Sequence, residues 1–165
     1  LRWGKVNVAW FEAHLVEVLA TGALATLLCA VAMIDMRTMR IPDGLNAALL
    51  VVGLAVTLGL KLDWVSHVAG AAAGYLALAG LAFAFHRLRG KEGLGLGDAK
   101  LMGAAGAWIG WQGLPFALLF GASLALSFVA ARAVAARGRA YGDYLPFGPF
   151  LAAGVFLVWG VQRAL

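Results

Sequence analysis

The chain is a series of apolar runs of roughly bilayer length separated by short polar breaks, and that pattern leaves few folds open. A hydrocarbon core about 30 Å thick needs roughly 20 apolar residues per helix, and inside it every backbone N–H and C=O must be paired within the protein. Apolar runs cover approximately residues 15–34, 45–60, 65–85, 114–131 and 147–161. A further stretch, residues 99–111, is apolar but too short to cross alone, and is expected to be a short or partly embedded helix. With 63% hydrophobic and 13% charged residues and a mean hydropathy of +0.88, the 165 residues are expected to form one membrane-embedded domain and no soluble one. About six spans with short loops would use the whole length. Residues 1–14, which mix Trp3, Trp10 and Phe11 with Arg2, Lys5 and Glu12, suit an interfacial lead-in.

The 22 glycines and 4 prolines fit helices packed through small residues better than a barrel, whose strands would alternate polar and apolar positions. The fold class is therefore all-α, a polytopic helix bundle whose first partner is the lipid bilayer. Gly70 and Gly74 form a small-xxx-small pattern that lets another helix approach closely, within this chain or, as the weaker alternative, in a homo-oligomer. The formal charge of +5 comes from basic residues standing singly and in pairs between apolar runs, which are topology signals and not a nucleic-acid face. Cys29 is the only cysteine, and His14, His67 and His86 lie far apart, so no disulfide, metal site or cofactor is expected. Leu1 stands first in place of Met, as in a trimmed chain or a fragment, and no cleavable signal peptide is visible at the start.

Lys and Arg divide 9 to 4 between the two ends of the spans, and the excess marks the cytoplasmic side. That side receives the breaks around residues 35–44, 86–100 and 132–146, with the N-terminus outside. The unusual polar motifs all fall there.

Eight acidic residues occur in the whole chain, and an ionisable group at the edge of a span demands an explanation. Asp35 directly follows an apolar run, and Asp98 follows Gly95-Leu96-Gly97. Between them the chain crosses outward and returns, so both carboxylates belong at one depth on one face. Two carboxylates held close share a proton, which is the apparatus of aspartic proteolysis: the ionised member takes a proton from water while the protonated member donates to the peptide carbonyl. Gly95 and Gly97 would let a substrate backbone approach closely. Taken singly, Asp98 reads as a plain helix N-cap and Asp35 as an interfacial residue paired with Arg37 or Arg40; their combination on one face points to catalysis.

Three blocks now stand out in order: Ile34-Asp35 through Ile41-Pro42-Asp43, then Lys91 to Leu101 with Glu92 and Gly95-Leu96-Gly97-Asp98, then Leu145-Pro146-Phe147-Gly148-Pro149-Phe150. Together they resemble the signatures of the type IV prepilin peptidases. The resemblance implies a bacterial inner-membrane endopeptidase that removes short basic leaders from prepilins and pseudopilins at the cytoplasmic face. It makes Asp35 and Asp98 the catalytic aspartates, and leaves Glu92 and Asp43 either to attract a basic leader or to stand as solvated loop residues. Lys100 either shapes the site by biasing the charge of Asp98 or, the favoured reading, snorkels to water; His86 is read as an interfacial residue, and Pro146, Gly148 and Pro149 as setting the start of the last span. Larger members of the family carry a zinc-binding cytoplasmic domain with paired cysteines and also N-methylate the new terminus. With Cys29 alone, this sequence reads as a peptidase-only form. Two alternatives differ in substrate or class: a preflagellin-type peptidase, and a small transporter or assembly component whose aspartates bind protons or ions.

Overall fold

The computed structural model describes residues 3–90, 95–135 and 145–164, and for residues 3–13 and Arg89 the backbone alone. The described residues are all-α: α1 (Trp3–Thr38), α2 (Asp43–Gly59), α3 (Trp64–Arg89), α4 (Leu96–Ala135) and α5 (Gly148–Ala164). Three stretches, His14–Thr38, Trp64–Leu88 and Leu96–Ala135, are long and apolar enough to cross a membrane, and α2 is a shorter apolar helix. This is a membrane helix bundle, as expected. Helix α1 runs unbroken from Trp3 to Thr38.

Local chemistry ends the helices where the sequence turns polar. Asp63 caps α3, its side chain accepting from the Val65 amide at 3.2 Å, and Gly90 closes the same helix in the left-handed region, its amide donating to the His86 carbonyl. Met39 takes the left-handed conformation (φ 51°) just past the end of α1. Pro42, in extended geometry, then starts α2. The strained Met39 turn stops α1 one turn after Asp35, so that Arg40 and Ile41 fold back over the end of the bundle.

Helix α4 departs most from the expected layout. Its 40 residues, at 1.5 Å each, would span about 60 Å if straight, twice the hydrocarbon thickness. Gly110 (φ 65°, ψ 175°) breaks it. Along the first arm, residues 96–109, the register runs with α5: Asp98 lies at the level of Phe147, and the Trp108 ring meets the Trp159 ring edge-on at 5.4 Å. Along the second arm, residues 111–135, it runs against α5, with Ala117 on Gly154 and Gly121 on Leu151. The two arms are thus oppositely directed, and the short stretch 99–111 and the run 114–131 appear as one helix folded back at a glycine. Only glycine suits that position, because φ is positive and a Cβ would lie 2.9 Å from the Ser66 hydroxyl.

The first arm is the core of the molecule. Residues 101–110 are all buried, with Trp108 at 1% exposure. Trp108 lies across Gly53 of α2 and donates its indole N–H to the Leu49 carbonyl at 2.8 Å. On its other side, Gly70 of α3 packs on the backbone of Gly106 and Gly110, and Gly74 packs on Met102. The small-xxx-small pattern is therefore spent inside the chain.

Candidate active site

One end of the bundle gathers the end of α1, the turn into α2, the end of α3, the start of α4 and residues 145–147 around a cavity of about 1030 Å³. Asp35 and Asp98 both line it. Asp35, in the last turn of α1, is only 5% exposed. Its Oδ2 accepts the Gly148 amide N–H at 3.0 Å. Gly148 opens α5, so Asp35 satisfies one of the N–H groups that a helix start leaves unpaired. Asp98 lies in the first turn of α4, its amide donating to the Gly95 carbonyl at 3.1 Å and its Oδ2 lying over Gly95.

Each carboxylate therefore stands at a helix N-terminus, Asp35 at that of α5 and Asp98 at that of its own helix. The partial positive charge of a helix start is what allows two acidic groups at the edge of a membrane domain to be held side by side. They are near enough to interact electrostatically.

The cavity also takes in Gly95, Gly97, Asp43 and Lys100. A Cβ on Gly97 would lie 3.5 Å from the Ile41 side chain, so this glycine sits where the turn after α1 crosses the start of α4. Lys100 does more than reach water. Its Nζ pairs with Asp43 Oδ1 at 2.5 Å, tying the start of α2 to the start of α4. With the Asp43 side chain 76% exposed, this rim pair adds little stability by itself, and its effect is on geometry. Glu92 lies outside the described residues.

Two residues have larger parts here than their sequence context suggested. Gly148 holds Asp35 directly, and a Cβ there would come within 2.6 Å of Asp35 Oδ2, so the site requires glycine. His86, expected at the interface, lines the cavity together with Ala79, Ala82 and Phe83, which share one face of α3 at helical spacing. The third sequence block marked Gly148 as notable. Nothing in it indicated that its amide would meet a carboxylate 113 residues away.

Asp35 and Asp98 thus come from separate helices to one cavity at one end of an all-α membrane bundle. The type IV leader peptidase family matches residues 22–130, and this chain belongs to that family. It is similar to the prepilin leader peptidase/N-methyltransferase of Aeromonas hydrophila, 44% identical over 145 residues, or 86% of this chain and 50% of the relative. The protein of the same name from Burkholderia pseudomallei (strain K96243) is 46% identical over 140 residues, covering 82% of this chain and 44% of the relative. That from Pseudomonas putida is 38% identical over 156 residues, covering 93% and 54%. The chain thus spans about half the length of the curated relatives it matches. No solved structure matches it.

Proposed function

We propose that this chain is the membrane-embedded peptidase unit, residues 1–165, that removes the short basic leader from type IV prepilin-like or pseudopilin precursors at the cytoplasmic face of the bacterial inner membrane. The observation that carries the reading is the convergence of Asp35 and Asp98 from separate helices on one cavity. The matches to prepilin leader peptidases supply the substrate class.

In this reading one carboxylate of the pair is ionised and the other protonated. A water between them loses its proton to the ionised member as its oxygen attacks the scissile carbonyl. The protonated member donates to the carbonyl oxygen, giving a tetrahedral diol. Collapse of the diol passes a proton to the leaving amine, breaks the C–N bond and restores the shared proton. Gly148 fixes the Asp35 carboxylate through its amide. Gly95 and Gly97 leave room for the substrate backbone, and the exposed Asp43, kept in place by Lys100, faces the basic leader.

The test is co-expression with candidate prepilins, read as the mobility shift of the mature product. Processing that depends on this chain supports the reading, and unaltered precursors across all candidates would sink it. EDTA is expected to leave the rate unchanged, because water is activated by carboxylates alone. Loss of cleavage restored by one particular metal ion would require a different chemistry. Gly148→Ala is expected to lower turnover by about 100-fold while the protein still folds, since a Cβ would displace Asp35 and misalignment on the ångström scale has that effect. Single-turnover cleavage in detergent checks it.

A further inference from the structure

The arm of α4 that carries Asp98 is anchored at the opposite end of the bundle from the cavity. Gly110 breaks the regular geometry of the helix, and carbonyls just before the break accept hydrogen bonds from outside it. The donors are side chains of three other helices. The Ala107 carbonyl accepts from His67 Nδ1 of α3 at 3.1 Å and from Thr57 Oγ1 of α2 at 3.0 Å, where the single hydroxyl proton is shared with the Gly53 carbonyl, also at 3.0 Å. The Ile109 carbonyl accepts from Gln162 Nε2 of α5 at 3.0 Å. Since a carbonyl can only accept, the His67 tautomer is the one with its proton on Nδ1. Thr57 and His67 are both buried, at 1% and 9% exposure, so water cannot replace either bond cheaply.

Ala107 stands nine residues from Asp98 along one continuous helical arm, roughly 14 Å at 1.5 Å per residue. That arm touches the backbone of α3 at Gly70 and Gly74, Tyr75 of α3 packs on its Gly103, and its Trp108 is wedged across Gly53 of α2. The bonds to the Ala107 carbonyl act together with these contacts on the axial position of the arm, and with it on the depth of Asp98 relative to Asp35.

We infer that His67 and Thr57, by converging on the Ala107 carbonyl, are positioning residues that set the depth of the Asp98-bearing arm and hold Asp98 in register with Asp35. The inference rests on the aspartate-pair reading above. His67 touches neither substrate nor the reacting atoms; it acts through the helix.

The test compares His67→Leu, His67→Asn and Thr57→Val in full-length protein, with Asp98→Asn in parallel. Asn places an amide N–H close to where His67 presents Nδ1, whereas Leu fills the space without a donor. His67→Leu is expected to lower kcat for prepilin cleavage at least tenfold with KM changed less than about twofold, and His67→Asn to recover most of the loss. Thr57→Val removes one donor at nearly constant shape, and is expected to lower kcat several-fold. It serves where His67→Leu fails to accumulate.

A readout independent of activity uses an Ile41→Cys, Gly97→Cys pair in a Cys29→Ala background. A Cβ at position 97 would lie 3.5 Å from that of Ile41, within disulfide range. Cross-linking is expected to be efficient with His67 or Asn present and reduced with Leu. Unchanged kcat per folded molecule in His67→Leu or Thr57→Val, or an Asn variant as impaired as Leu, overturns the inference. If Asp98→Asn also cleaves normally, the aspartate-pair reading falls with it; if only Asp98→Asn is inactive, that reading stands and the positioning role alone is lost.

Discussion

Asp35→Asn and Asp98→Asn are each expected to abolish leader cleavage, with losses of at least about 1,000-fold, while the protein remains folded in detergent. Asn preserves size and keeps a carbonyl oxygen, so at position 35 it still accepts the Gly148 amide and holds the start of α5. What it removes is the ability to exchange a proton at pH 7. In Asp98→Asn the first turn of α4 loses a favourable interaction with the helix dipole worth about 0.3–1 kcal/mol, and in both variants the repulsion between neighbouring carboxylates disappears. Melting temperatures should therefore change little. The double variant should be no worse than either single one, because the pair acts as a unit. Near-normal processing by either single variant, measured with purified enzyme and a prepilin, would remove the two-aspartate mechanism.

Gly106→Val is expected to have the largest effect on stability. A Cβ on Gly106 would lie 2.6 Å from the Ala71 amide nitrogen and closer still to the Gly70 carbonyl, and neither backbone group has a rotamer to escape into. Helices α3 and α4 would have to separate, exposing the most buried segment of the chain. Ordinary overpacking costs about 1–3 kcal/mol, and a clash with backbone should exceed that range, appearing as poor accumulation or a large fall in melting temperature. Gly80→Ala is the control: a Cβ there meets nothing within 4 Å, so helix propensity should make it neutral or stabilising by up to about 1 kcal/mol. If both substitutions behave alike, glycine packing does not hold this bundle together.

The prior for the fold was carried by apolar run length, and the ends of α2, α3 and α5 fall within a few residues of those expected. The placement of Asp35 and Asp98 at one end followed from counting crossings, which needs no knowledge of packing. Lys100 was harder to read. Its sequence neighbours suggest a lysine extended to water, and the Asp43 carboxylate it pairs with lies 57 residues away on another helix. His86 shows the same limit, because depth in the membrane was legible whereas the face of α3 it occupies was not.

Residue order alone determined that this chain is a bundle of membrane helices with two aspartates at one end. It did so because lipid offers no partner for backbone polar groups, so long apolar runs translate into helices. Only the tertiary structure decided that α4 folds back at Gly110, that Gly148 reaches Asp35, and that Gly70 and Gly74 pack on α4 within the chain. Those contacts depend on the rotation and register of one helix against another. Many small non-local interactions set them together, and no local stretch of sequence encodes them.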